Sequence, residues 1–145
     1  MDKQDIRLHF ITPDTATELD VPMAASGVSA GFPSPAEDHL EPPLDLNRTL
    51  VRNPASTFFA RVDGDSMKDD CINDGDLLVV DKSVEPYNGC VAVCFLDGEF
   101  TLKRVRLGDG HIVLMPANKK YKPIEISRDD EFSIWGVVTF SIQKI

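Results

Sequence analysis

Two residues of this chain combine a reactive side chain with surroundings that could aim it. Ser66 lies in Gly64-Asp65-Ser66-Met67, directly after the apolar run TFFARV at 57–62. A serine at a strand end beside a glycine turn can stand among backbone N–H groups able to hold an oxyanion. Lys103 lies within EFTLKRVRL at 99–107. Strand alternation there puts Thr101, Lys103, Val105 and Leu107 on one face, and Phe100, Leu102, Arg104 and Arg106 on the other. A lysine on an apolar face loses hydration, which disfavours its charged form, and a neutral lysine can accept the proton of a serine hydroxyl. Together the two would make a Ser-Lys dyad, in which no histidine is required. His9, His39 and His111 are scattered and lack ligand spacing, so no metal is expected.

Each residue also has a plainer reading. Ser66-Met67-Lys68-Asp69 fits Ser-x-x-Asp, so the hydroxyl could simply cap a helical turn. Lys103 could be a strand lysine whose stem carries its ammonium out to water. Pattern alone favours these plainer readings, and spacing does not show that the two residues meet.

The elements that must position them are short strands. TFFARV, DLLVVD, GCVAVCFL, EFTLKRVRL, HIVLMP and FSIWGVVTFSI are runs rich in β-branched and aromatic residues. Turn residues separate them: Asn73-Asp74-Gly75-Asp76, Asn88-Gly89, Asp97-Gly98 and Gly108-Asp109-Gly110. The Asp97-Gly98 pair predicts a hairpin, because a type I′ turn needs positive φ at both central positions. Before residue 57 the texture differs. Seven of the ten prolines lie there (Pro13, Pro22, Pro33, Pro35, Pro42, Pro43 and Pro54), each fixing φ and removing a backbone donor. The first 45 residues are therefore expected to form a flexible, extended arm without long helices or central strands. Leu46, Leu50 and Val51 after Asp45 predict a short capped helix that ends before Pro54. The fold class expected is mostly β: an arm at 1–45 followed by a compact domain of short strands at 46–145.

Charge restricts the partners. The chain carries 15 basic against 24 acidic residues, a formal net charge of −9. Tight binding to a phosphate backbone needs a basic face, so direct nucleic-acid binding is not expected and protein partners are. No apolar run approaches the roughly 20 residues that span a bilayer, and the N-terminus lacks the pattern of a secretory signal. Cys71, Cys90 and Cys94 then read as reduced thiols of a cytoplasmic protein, used in packing.

The arrangement of these segments resembles the UmuD branch of the LexA/UmuD family of self-cleaving serine peptidases. SAGFPSPA at 29–36 is similar to the family's cleavage segment, TFFARVDGDSMKDDCINDGDLLVVD at 57–81 to its nucleophile region, and DGEFTLKRV at 97–105 to the segment bearing its general base. The resemblance covers about residues 30–145 in order and does not reach residues 1–28. It implies a compact LexA/UmuD-like peptidase domain, Ser66 as nucleophile, Lys103 as general base and a scissile bond between Ala30 and Gly31. Backbone amides of Asp65 and Ser66 would form the oxyanion hole, and no cofactor is implied. It further implies a homodimer in the cytoplasm and self-cleavage promoted by a RecA filament. The processed form would act with a Y-family error-prone DNA polymerase (UmuC-like) in translesion synthesis. Only about 30 residues precede the implied cut, too few for the helix-turn-helix domain of LexA-like repressors, which favours the mutagenesis branch. The rival functions are a non-enzymatic docking module, a truncated LexA-like regulator and a relative of signal peptidases.

Overall fold

Eight of the ten strands found among the described residues lie in one antiparallel sheet, ordered β1-β4-β5-β10-β6-β7-β8-β9. The structure, a computed structural model, describes residues 6–24 and 40–145. The strands are β1 (Ile6–Ile11), β2 (Asp20–Ala24), β3 (Leu40–Asp45), β4 (Thr57–Gly64), β5 (Leu77–Asp81), β6 (Val91–Leu96), β7 (Glu99–Gly108), β8 (His111–Met115), β9 (Ile124–Glu125) and β10 (Phe132–Ile142). The mostly β expectation holds, and each of the six apolar runs named above contains a strand. The described residues fall into two compact units, one running through Pro13 together with Asn53–Ile145, the other comprising Asp14–Arg52.

In the smaller unit β2 and β3 pair as a two-stranded sheet, and the helix α1 (Leu46–Leu50) follows directly. Asp45 caps that helix by accepting from the Asn47 N–H at 3.0 Å, as the sequence predicts. Pro22, Pro42 and Pro43 are tolerated within these strands because each strand pairs on one side only, so a missing N–H can face away from the ladder.

In the larger unit the sheet starts earlier than the strand texture suggests. Ile6–Ile11 contains no proline, and it pairs with β4 from Ile6↔Gly64 to Ile11↔Phe59 as an edge strand. The sheet curls until β1 lies against β7: the Phe10 and Phe100 rings are 5.2 Å apart, and Phe10 also meets Trp135 at 4.8 Å. This curl encloses a core of Ile6, Ala60, Val62, Met67, Leu78, Val80, Val93 and Leu102. A second core, on the other face of β6 and β7, gathers Cys90, Ala92, Cys94, Val105, Leu114 and Val137. Both faces of the central strands are therefore covered, which explains why β5 is buried almost throughout instead of alternating.

The turns follow the predicted chemistry. Asp97 and Gly98 both take positive φ, 48° and 88°, and join β6 to β7. Strand β10 pairs with β6 along Phe132–Val137 and with β5 along Val137–Ile142, so it bridges the two strands. It bulges between Ile134 and Gly136 and again between Val138 and Phe140. A Cβ at Gly136 would come within 2.6 Å of Val80 Cγ1, in a part of the core with no room to yield. Gly136→Ala is expected to cost about 1–3 kcal/mol by overpacking, read as a lower urea midpoint. An unchanged midpoint would show that β10 can shift at the bulge.

Candidate active site

Strand β4 ends at Gly64, whose φ of 128° turns the chain out of the sheet in a conformation that L side chains rarely adopt. The Gly64 N–H donates to Asp74 Oδ1 at 3.0 Å, which fastens the start of the turn. Asp65, Ser66 and Met67 follow, leading into a 3₁₀ turn at Lys68–Asp70. Ser66 is fully buried, and its Oγ has no hydrogen-bond partner among the described residues. The capping reading is thereby excluded: Met67 occupies the cap position and no side chain caps the turn. A buried hydroxyl left without a partner costs about 1–3 kcal/mol. Neither capping nor packing explains why a serine should bear that cost.

Lys103 lies in the middle of β7, opposite Ala92, and is 2% exposed. The apolar face assigned to it is real, since Ala92, Cys94 and Val105 are buried on that side. Its ammonium is not carried out to water, so the snorkelling reading fails. The Lys103 Nζ sits 5.9 Å from the centroid of the Tyr121 ring, within cation–π range.

Tyr121 links the two candidate residues. Its hydroxyl donates to Asp65 Oδ1 at 2.9 Å, one residue before Ser66, while its ring faces Lys103 Nζ. A second tie runs from the neighbour of each residue's segment: Arg104 Nε and Nη2 both reach Asp70 Oδ2, at 2.9 Å each. Arg104 also donates to the Gly89 carbonyl. The strand carrying Lys103 and the turn carrying Ser66 are thus held together from both faces of β7. The Ser66–Lys103 hydrogen bond itself is not made in this conformation. Such bonds are often long in free enzymes and tighten when substrate binds.

Asp65 and Ser66, whose amides the resemblance assigns to an oxyanion hole, are in the turn that these ties immobilise. Ala30 and Gly31 lie outside the described residues. Sequence reasoning did not find Asp70, Arg104, Asn118 or Tyr121. For Asn118 and Tyr121 the only signal was an asparagine and an aromatic residue set in the otherwise basic and proline-flanked PANKKYKP at 116–123. In the smaller unit Glu18, Asp20 and Asp45 gather their carboxylates, but Arg48 pairs with Glu18 and Asp45 at 3.5 and 3.6 Å.

Two thiols near Lys103, Cys90 and Cys94, are buried. Burial, reinforced by neighbouring Cys90 and opposed by the positive charge of Lys103, pushes Cys94 up to about 12. The thiolate is the reacting species, so at pH 8 (roughly half a unit from an ordinary thiol's value) Cys94 should not react in the folded chain. Cys71 is exposed and Cys90 buried. An aromatic disulfide reagent is expected to titrate one thiol in native protein and three in denaturant. Prompt native labelling of Cys94 would mean that the core around β6 opens readily.

Comparison with known proteins identifies the family. The model of the Peptidase S24-like family matches residues 22–139. Protein SamA of Salmonella typhimurium is 46% identical over 123 residues, covering 85% of both chains. Protein MucA of Escherichia coli is 44% identical over 123 residues, covering 84% of both. LexA repressor 1 of Xanthomonas oryzae is 41% identical over 110 residues, which is 76% of this chain but 54% of the repressor. No helix among the described residues is long and apolar enough to cross a membrane. With the match to the family model spanning both Ser66 and Lys103, and relatives alike over most of their length, the chain belongs to the S24-like peptidases, as a member of the UmuD type.

Proposed function

We propose that this chain cuts itself between Ala30 and Gly31, with Ser66 as nucleophile and Lys103 as general base. The observation that carries the reading is the buried Lys103 sharing Tyr121 with the turn that holds a buried, unpartnered Ser66 hydroxyl. Neutral Lys103 takes the Ser66 proton as Oγ bonds to the Ala30 carbonyl carbon, and the amides of Asp65 and Ser66 hold the resulting oxyanion. The protonated lysine then gives its proton to the departing Gly31 amine as the peptide bond breaks. Lys103 next deprotonates a water, which attacks the Ala30–Ser66 ester and frees the enzyme. Ala30 and Gly31 are small, so their backbone can enter a narrow cleft, and Pro33 and Pro35 favour an extended approach. A substrate tethered to its own enzyme has a high effective concentration and needs no deep specificity pocket.

The family context extends the reading to SOS mutagenesis. A RecA filament would promote the cut, and the processed homodimer would join a Y-family polymerase in the cytoplasm. An acidic chain that acts through proteins and not on phosphate backbones fits that role.

The test is a rate–pH profile of self-cleavage. The base works only without its proton, so the first-order rate should rise about tenfold per pH unit until Lys103 is neutral, then level off. The heavier product should begin at Gly31. A pH-independent rate, or a cut elsewhere, contradicts the assignment. A chain that stays whole at every pH and with RecA filaments is the result expected of a docking module.

A further inference from the structure

The peptide that joins Asp65 to Ser66 carries the Asp65 carbonyl on one side and the Ser66 N–H on the other. No peptide bond among the described residues is cis, and a planar trans unit points these two groups in opposite directions. Whatever fixes the carbonyl therefore aims the N–H. The Asp65 carbonyl accepts two hydrogen bonds, from the Lys68 N–H at 3.2 Å and from Asn118 Nδ2 at 2.8 Å. The first comes from the turn itself and moves with it. The second comes from the segment between β8 and β9, which is anchored elsewhere in the fold.

That segment grips the turn at two further points. The Asp69 N–H donates to the Ala117 carbonyl at 2.6 Å, and the Tyr121 hydroxyl holds the Asp65 carboxylate. Asn118 is only 5% exposed, and its Oδ1 accepts from the Lys120 N–H at 3.0 Å. With its oxygen held in that way, the amide must present Nδ2 to Asp65. A buried side chain with both ends engaged is a rigid support for the peptide plane beneath it.

We propose that Asn118 is a positioning residue for self-cleavage: it orients the Ser66 N–H as an oxyanion donor, and Tyr121 assists by holding the Asp65 side chain. This rests on the serine-peptidase reading above. Neither residue moves a proton in the reaction. Their contribution is to keep the donor preorganised as charge develops on the Ala30 oxygen.

The experiment measures first-order self-cleavage of the full chain across alkaline pH for wild type, Asn118→Ala, Asn118→Asp and Tyr121→Phe. Each is assayed well below its own melting transition, so that only folded protein is read. Asn118→Asp keeps the acceptor used by Lys120 and loses the donor to Asp65. Both Asn118 variants are expected to lower the plateau rate by roughly 10- to 100-fold, less than outright loss of a donor. Tyr121→Phe should lower it by roughly 3- to 10-fold, the effect of one hydrogen bond. In Asn118→Ala and Tyr121→Phe the pH midpoint should match wild type, because no charge is added and the ring beside Lys103 is kept.

Wild-type rates in folded Asn118 variants would overturn the inference while leaving the peptidase reading intact. A midpoint that moves with the rate in Asn118→Ala would also overturn it, by showing that Asn118 acts through Lys103. If Asn118→Ala does not fold, Asn118→Asp and Tyr121→Phe decide the matter. A wild-type chain that never cleaves would instead sink the peptidase reading, and the inference with it.

Discussion

Ser66→Ala should lose self-cleavage and melt no lower than wild type. The hydroxyl takes no part in any hydrogen bond among the described residues and is fully buried, so its removal relieves a desolvated polar group. Stability should stay level or rise by up to about 1 kcal/mol. Activity should fall by roughly 10³-fold or more, the usual consequence of deleting a nucleophile. Loss of activity with gain of stability is the mark of a residue kept for chemistry and not for packing. Lys103→Ala should lose as much activity, but it also opens a cavity in the second core. Lys103→Met separates the two effects: it keeps an unbranched side chain of similar length and removes the proton acceptor. That variant should fold and fail to cleave. Cleavage by a folded Lys103→Met at a rate near wild type would eliminate Lys103 as the base.

The second large effect is expected at Asp81, far from the chemistry in role but central to the frame. This carboxylate ends β5 at 4% exposure. It accepts from Asn53 Nδ2, Ser56 Oγ, and both the N–H and Oγ of Ser83, at 2.7–3.0 Å. Burial alone would raise its pKa, but these four donors together outweigh burial and hold it below its ordinary value. The sign of the pH effect follows. In the unfolded chain an aspartate titrates at about 3.9, so the contribution of Asp81 is complete above that value. As pH falls below it the unfolded state binds its proton first, and the contribution is lost until the folded group is protonated too. Asp81→Ala should cost about 1–3 kcal/mol at neutral pH, since it removes the buried carboxylate that four hydrogen bonds share and leaves their donors to water. Asp81→Asn should cost less, and its deficit against wild type should shrink as pH drops through the acid range. Urea unfolding at pH 7 and in acid measures both. An Asp81→Asn deficit that is constant with pH would mean that the folded carboxyl titrates normally.

How much of this was legible in the chain depended on whether the signal was local. The Asp97-Gly98 turn and the strand of Phe132–Ile142 are written in adjacent residues, and both are found where their residue types demand. The Asp45 cap is local in the same sense. Edge strand β1 was missed although Ile6-Arg7-Leu8-His9-Phe10 alternates apolar and polar residues, because the prolines from Pro13 onward governed the reading of the whole first 45 residues. Its partner β4 is more than 40 residues away in the chain, and pairing across that distance leaves no mark in a window of a few residues.

The site divides along the same line. Ser66 and Lys103 could be picked out as reactive types on strand-associated segments, yet pattern favoured a cap and a solvated lysine. What reverses both readings is burial, and burial comes from the curl of the sheet and the packing of the segment 116–123, which are tertiary facts. Asn118 and Tyr121 act on Asp65 from more than 50 residues away. Arg104 was visible as a charge on the face opposite Lys103, but its partner Asp70 was one of several acidic residues in DSMKDD. Only the fold selects which acid it meets.

The measurement that bears most directly on the central claim is intact mass after overnight incubation at about pH 10, where much of an ordinary lysine population is neutral. Wild type, Ser66→Ala and Lys103→Met would be run side by side. Wild type alone should lose residues 1–30, leaving a fragment that starts at Gly31. The same loss in all three proteins would point to a contaminating protease, and loss in either variant alone would contradict the Ser66–Lys103 dyad.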